Sequence, residues 1–124
     1  MISNRQKAIL FAGAIVCVVA AVARGIPVHR VKVYNIAGLT VFSSNLGQIG
    51  ESRANHPNFR VAVDEKRPAS GTSFRYTFTG FEGARSAVHL VETYIPIMGP
   101  QGAIEGVFEI YSEANAAFAR IRES

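Results

Sequence analysis

The 124-residue chain has a single cysteine, widely spaced histidines and no catalytic signature. Cys17 lies inside an apolar run, so a disulfide framework within the chain is excluded, and the residue is interpreted as a small hydrophobe. His29, His56 and His89 lack the short spacing that is typical of a metal site. The motif G-x-S-x-G, the Walker loop and the motif G-x-G-x-x-G do not occur. The sequence therefore predicts no metal site and no cofactor, and it carries no catalytic motif that favours an enzyme.

The charge balance gives no support to nucleic-acid binding. The formal net charge is +4, and Arg5 and Lys7 supply two of these charges before the first apolar run. Because residues 1–23 contain no acid, the rest of the chain carries 4 − 2 = +2. Its basic residues alternate with acids, as in the segment 64–67, and form no stripe. An apolar fraction of 48% and a charged fraction of 18% are typical of one folded domain.

Residues 1–25 are predicted to form a membrane anchor or a signal segment. The run AILFAGAIVCVVAAVA (Ala8–Ala23) is uncharged, and as a helix it would span roughly 24 Å, less than the ~30 Å hydrocarbon core of a bilayer. A cleaved signal peptide fits the basic start and the small residues at 21–23. An uncleaved anchor fits if the helix extends past Arg24, and a buried helix of a soluble protein is a third reading. In the first two cases residues 26–124 are expected outside the cytoplasm.

Residues 26–124 have the pattern of an α+β domain, with a five-stranded antiparallel sheet flanked by helices. Alternation of apolar and polar residues locates the strands, and the first strand is predicted to be half-buried. Asn35–Gly38 predicts a hairpin turn, and Pro96 predicts an edge or a bulge in the fourth strand. The predicted elements are strands at 29–34, 39–43, 74–79, 90–98 and 104–111, a short helix at 58–65, and a final helix at 112–122 capped by Ser112.

Two stretches resemble a known family. VKVYNIAGLTVFSSNLGQIGE (Val31–Glu51) and YIPIMGPQGAIEGVFEIYSE (Tyr94–Glu113) resemble the extracytoplasmic sensor domain of bacterial membrane histidine kinases and diguanylate cyclases. That domain is of the PAS-like, or Cache, type, and the resemblance covers about Ile26–Arg122. It implies a PAS-like sheet, an uncleaved N-terminal helix in the inner membrane, and a homodimer. It also implies that the domain faces the periplasm and detects a small molecule there.

The resemblance also sets expectations for signal transmission. The chain ends at Arg122-Glu123-Ser124, where a receptor of this type would enter its second membrane helix, and no kinase or cyclase sequence follows. The chain is therefore expected to be a fragment, a truncated relative or a stand-alone sensor module. The helix predicted at 112–122 is the expected output element.

Five residues are proposed to bind the ligand: Ser44, Arg75, Tyr94, Glu109 and Tyr111. Ser44 offers a hydroxyl from the loop after the second strand, and Arg75 offers two parallel hydrogen bonds to a carboxylate. Tyr94 and Tyr111 each offer a ring and a hydroxyl, and Glu109 would orient Arg75 or the loop. Each residue also has a plainer interpretation: a surface loop capped by its own serines, a cross-strand ion pair or a core aromatic.

Two other classes of function stay open. An isomerase or hydrolase would use Glu109 or His89 as its base, and a carboxyl pKa raised inside a closed cavity would favour this class. A structural module that dimerises through its helices would bind no ligand and would have a filled interior.

Overall fold

The computed structural model describes residues 4–5, 25, 27–81 and 83–114 of the chain. Its elements are β1 (Val28–Tyr34), β2 (Thr40–Ser43), α1 (Pro57–Asp64), β3 (Ala69–Gly80), β4 (Gly83–Met98) and β5 (Ile104–Glu113), with short 3-10 turns at Leu46–Gln48 and Pro100–Gly102. The strands form one antiparallel sheet in the order β2-β1-β5-β4-β3. The predicted α+β class and five-stranded antiparallel sheet are confirmed. The predicted N-terminal hydrophobic helix and nearly all of the final helix lie outside the described residues.

The two faces of the sheet have different chemistry, because successive strand residues point to opposite sides. The inner face is the side on which α1 lies, and Phe59 and Ala62 of α1 pack there against β1, β4 and β5. The outer face carries an apolar cluster of Val33, Ile97 and Phe108, with Val41 and Ile95 packed against it. Among the described residues, no helix combines the length and the hydropathy needed to cross a membrane.

Strand β1 is buried on both faces, so the prediction of a half-buried strand is wrong. Its inner-face residues Arg30, Lys32 and Tyr34 are 5%, 0% and 0% exposed. The ring of Tyr34 lies 5.6 Å from that of Phe59 in α1, and Arg30 is covered by the tip of the β3–β4 hairpin. The alternation along β1 cannot reveal this burial, because the covering elements are distant in sequence.

The β3–β4 hairpin folds its tip over the start of β1. Arg30 donates from Nε and Nη2 to the Thr79 carbonyl at 3.1 and 2.6 Å, and its guanidinium lies 4.1 Å from the centroid of the Phe78 ring. Ala87 has a φ of 55°, in the left-handed region, and it interrupts the regular ladder between β3 and β4. The tip therefore forms one wall of the inner face.

Cross-strand pairing extends several elements beyond their predicted ends. β3 begins at Ala69, before its predicted start at residue 74, because it pairs there with Tyr94 of β4. Ser112 lies within β5, opposite Val91, so it does not cap a helix as predicted. Pro96 pairs with β5 on one side but lies beyond the start of β3 on the other. Its missing N–H therefore falls at a local edge of the sheet.

The turn Asn35–Gly38 closes the β1–β2 hairpin, as predicted. The Gly38 amide donates to the Asn35 carbonyl at 3.0 Å, and the Gly38 carbonyl accepts from the Arg53 amide at 2.8 Å. Gly38 has a φ of +89°, and a Cβ atom at this position would lie 2.6 Å from the backbone of Ala54. The glycine therefore lets the loop before α1 lie directly against the hairpin.

We expect Gly38→Ala to destabilise the full chain more than the matched variant Gly50→Ala. Gly50 has a similar φ of +96°, but a Cβ there would meet nothing within 4 Å. Gly50→Ala should lower the free energy of unfolding by about 1 kcal/mol through backbone strain alone, and Gly38→Ala by at least about 1 kcal/mol more through the clash. Urea unfolding followed by circular dichroism measures both. Equal losses would show that the loop does not depend on this close approach.

Candidate functional site

Five side chains meet at the centre of the inner face and form what we call the inner-face cluster: Lys32, Tyr34, Tyr94, Glu109 and Tyr111. Each is at most 1% exposed. The strand register brings them together, because Lys32 of β1 and Tyr94 of β4 both lie directly opposite Glu109 of β5. Directly opposite residues have Cβ atoms about 4.5–5.5 Å apart. Glu109 is therefore flanked by an amine on one side and a phenol on the other.

The next row of the sheet places Tyr111 between Arg30 and Glu92. Two cations lie near the ring of Tyr111: the Arg30 guanidinium at 5.2 Å and Lys32 Nζ at 5.5 Å from the centroid. Both distances fall within the range of cation–π attraction. On its other side the Tyr111 ring lies 5.6 Å from the Phe78 ring of the hairpin tip. The hairpin tip thus closes the cluster at one end, while α1 closes it at the other.

Glu109 is the acidic centre of the cluster. The Tyr34 hydroxyl donates a short hydrogen bond to Oε1, whereas Oε2 is buried and has no hydrogen-bond partner in the described part of the chain. Burial raises the pKa of the Glu109 carboxyl and the charge of Glu92 raises it further, although the hydroxyls of Tyr34 and Tyr94 and the charge of Lys32 act in the opposite direction. The arrangement favours a protonated carboxyl more than a surface position does.

Lys32 is a buried amine without a hydrogen-bond acceptor. Its Nζ has no hydrogen-bond partner among residues 27–81 and 83–114, and no carboxylate of those residues forms an ion pair with it within 4.0 Å. Burial lowers the pKa of the Lys32 amine, and the charges of Arg53 and Arg30 lower it further, while Glu109 and Glu51 oppose the shift. The acid and the amine that face each other are therefore both shifted towards their neutral forms.

The three tyrosines of the cluster keep their protons. Burial raises the pKa of Tyr34, Tyr94 and Tyr111, and the nearby Glu109 carboxylate raises each further. The Tyr111 hydroxyl has no hydrogen-bond partner in the described structure. The Tyr94 ring stacks near the Tyr34 ring at 6.1 Å and lies 5.0 Å from the ring of His56. Since His56 caps α1 by accepting from the Asn58 amide at 3.2 Å, the cluster is linked to the start of that helix.

Three of the five residues proposed from the sequence lie in this cluster: Tyr94, Glu109 and Tyr111. Arg75 instead forms a cross-strand ion pair with Glu92 at 2.8 Å, which is its plainer interpretation. Glu92 lies directly opposite Tyr111 in the sheet. The Ser44 hydroxyl accepts a hydrogen bond from the Val31 amide at 3.1 Å and so ties the loop to β1. Arg75 and Ser44 thus border the cluster without belonging to it.

His89, one of the two bases considered from the sequence, lies apart from the cluster. It is exposed on β4 and contacts the Phe74 ring at 4.9 Å between centroids. His29 lies at the start of β1 beside the hairpin tip, where its Nε2 is 3.0 Å from Arg85 Nη1. In the part of the chain that the structure describes, no group of three or more His, Cys, Asp or Glu residues is placed to hold a metal ion.

Lys32 and Tyr34 are not among the residues proposed from the sequence, because a half-buried first strand would place them on its exposed face. One signal was available, because the predicted strands 29–34 and 104–111 each carry polar side chains at alternate positions. Antiparallel pairing of these two strands sets Lys32 opposite Glu109 and brings Tyr34 within reach of the same carboxylate. The sequence pattern predicts no pairing of β1 with β5, and without that pairing the alternation does not reveal that Lys32 lies opposite Glu109.

The chain was compared with known proteins. No protein-family model matches it, and no curated protein matches it. Among solved structures, the chain is similar to the PAS domain of BvgS from Bordetella pertussis, with 12% sequence identity and a TM-score of 0.38. That similarity covers 77% of this chain and 84% of the BvgS chain.

We expect Glu109→Gln to change how the stability of the full chain depends on pH. The folded-state pKa of Glu109 is raised above its ordinary value of 4.5, so the folded chain holds a proton that the unfolded chain releases. The wild type should therefore lose stability relative to Glu109→Gln as pH rises from about 4.5 to the folded pKa, by about 1.4 kcal/mol per pH unit. Urea unfolding between pH 4 and pH 8 measures this difference.

The matched control is Glu65→Gln, because Glu65 is exposed and pairs only with Arg67 at the surface. Its stability should follow that of the wild type across the pH series. A wild type that gains stability relative to Glu109→Gln as pH rises would contradict a raised pKa of Glu109.

Proposed function

We propose that this chain is a small-molecule sensing domain whose ligand binds at the inner-face cluster. One observation carries the proposal: Lys32 Nζ, Glu109 Oε2 and the Tyr111 hydroxyl are buried together, and none of them has a hydrogen-bond partner in the described structure. Buried polar groups in folded proteins nearly always have partners. A ligand with its own donors and acceptors would supply the partners that the chain leaves out.

The cost of burying polar groups without partners supports a binding role for the cluster. A buried polar group without a partner costs about 1–3 kcal/mol of stability, and three such groups lie in one cluster here. A ligand that pairs with them recovers part of this cost on binding, which favours the occupied state. The tyrosine rings supply the apolar walls that a small-molecule site requires. We therefore propose a small polar ligand held between α1, the loop 44–56 and the hairpin tip.

Arg75 and Ser44 position other parts of the site in this proposal. Arg75 holds Glu92 beside Tyr111 by the 2.8 Å ion pair, and Ser44 fastens the loop to β1 beside Lys32. Both would shape the site without contacting the ligand in the present arrangement. An opening of the loop would be needed to bring the Ser44 hydroxyl to a ligand.

The proposed setting is an extracytoplasmic, PAS-like sensor of a membrane signalling protein of the histidine kinase type, tethered through residues 1–25 and acting as a homodimer. The resemblance of Val31–Glu51 and Tyr94–Glu113 supports it, and the five-stranded sheet agrees with the architecture which that resemblance implies. Strand β5 carries Glu109 and Tyr111 and ends at Glu113, at the start of the helix predicted at 112–122. A ligand that moves β5 would shift the output helix, provided that it binds two helix arrangements with different affinities.

An enzyme is the second candidate, and the raised pKa of Glu109 favours it. Glu109 would act as the base of an isomerase or hydrolase, with Tyr111 as a hydrogen-bond donor. Turnover of a ligand that binds at the cluster would distinguish this function from sensing. A ligand recovered unchanged after prolonged incubation supports the sensor.

We expect a thermal-shift screen of the purified full chain against a library of small polar metabolites to give stabilising compounds. A compound present at 100 times its dissociation constant adds about 2.7 kcal/mol to the free energy of unfolding. Lys32→Met and Tyr111→Phe should abolish the shift, because each removes a group without a partner from the cluster. Lys66→Met is the matched control, since Lys66 is exposed and lies outside the cluster.

Two results would count against the proposed site. Shifts that survive in both cluster variants would place the ligand elsewhere on the chain. The absence of any shift across the library would favour the structural module.

A further inference from the structure

We propose that Lys32 captures small aldehydes or ketones, because its Nζ is positioned to form a reversible imine within the inner-face cluster. The inference rests on the proposed function, since it assigns a chemical class to the ligand of the same cluster. It goes beyond that function in predicting a covalent bond between the chain and its ligand.

The position of Lys32 suits a reactive amine. Its side chain is 0% exposed, and the pairing of β1 with both β2 and β5 holds its backbone, opposite Ser43 on one side and Glu109 on the other. Its Nζ has no acceptor within hydrogen-bond distance in the described structure. An amine that serves only as a structural cation would be paired with a carboxylate or carbonyl. The nitrogen of Lys32 is therefore available for bond formation.

The surroundings favour the nucleophilic form of that nitrogen. Only a neutral amine attacks a carbonyl carbon, and lysines that form imines are activated by an apolar pocket or a neighbouring cation. Burial lowers the pKa of the Lys32 amine and the charges of Arg53 and Arg30 lower it further, which outweighs the opposite effect of the Glu109 and Glu51 charges. Arg30 lies on the same face of β1, two residues before Lys32.

Glu109 lies directly opposite Lys32 in the sheet, and in this proposal its carboxyl group moves the protons that the reaction requires. The lone pair of Lys32 Nζ attacks the carbonyl carbon and forms a carbinolamine. The carboxyl group at Glu109 Oε2 then donates a proton to the leaving hydroxyl, water departs, and the nitrogen proton returns to Glu109 to leave a neutral imine. The balance is one amine and one carbonyl compound to one imine and one water, with no oxidation or reduction. Burial raises the pKa of Glu109, which favours the protonated carboxyl that this step uses.

The test uses acetaldehyde and sodium cyanoborohydride, which reduces an imine to a stable secondary amine. The full chain is treated with limiting acetaldehyde at pH 7, and peptide mass spectrometry compares labelling of Lys32 with that of Lys66. Lys66 is an exposed lysine whose Nζ donates to the Gly102 carbonyl at 3.3 Å. We expect Lys32 to be labelled at least roughly tenfold faster than Lys66, because burial and two neighbouring cations favour the neutral, nucleophilic form of its amine.

Two controls test whether preferential labelling of Lys32 depends on the folded inner-face cluster. Labelling in concentrated urea should remove the preference, because the unfolded chain gives all its lysines similar surroundings. Glu109→Gln should slow labelling of Lys32 and leave that of Lys66 unchanged, since the proton donor is removed from one site only. Labelling of Lys32 that is equal to or slower than that of Lys66 in the folded chain would overturn the inference.

The result also separates this inference from the proposed function. If the thermal-shift screen gives ligands that depend on Lys32 and Tyr111, but Lys32 is not labelled preferentially, the sensor proposal stands and covalent capture is wrong. If neither experiment gives a signal, both proposals are wrong. Preferential labelling that requires folding and Glu109 supports covalent capture whether or not the library contains a ligand.

Discussion

The burial of Glu109 at the centre of the sheet is the constraint on which the rest of the structure depends. β5 is the middle strand, so a side chain at the centre of its inner face has neighbouring strands on both sides. A carboxyl in that position needs hydrogen-bond donors, and Tyr34 supplies one. Lys32 and Tyr94 flank it in register. The three strands β1, β5 and β4 thus meet around one acidic group.

Polar groups buried at the centre of the inner face stabilise the fold less than apolar side chains would. A leucine or phenylalanine in place of the central polar groups would contribute hydrophobic stabilisation and leave no donor or acceptor without a partner. The outer face of the same sheet has such a core, formed by Val33, Ile97 and Phe108. The contrast between the two faces supports binding as the role of the inner face.

Much of the fold follows from short-range patterns in the sequence, whereas the complete site does not. Alternation in β5 correctly separates Phe108 and Ile110 from Glu109 and Tyr111, and the Asn35–Gly38 turn predicts the first hairpin. The burial of Lys32 is not predictable in this way, because it depends on α1 and the hairpin tip, which lie far along the chain. Long-range pairing likewise extends β3 into a stretch with local turn character. The sequence therefore identifies three of the five residues of the inner-face cluster, which are those on the predicted strands 90–98 and 104–111.

The most direct test of this account is the free energy of unfolding of Lys32→Met, measured in the full chain at pH 7 without ligand. If Lys32 is a buried amine without a partner, methionine fills the same space without the cost of burying the polar nitrogen. We expect Lys32→Met to be more stable than the wild type by about 1–3 kcal/mol. A loss of about 3–5 kcal/mol is the result expected for breaking a buried ion pair. It would contradict the account and make Lys32 a structural partner of Glu109.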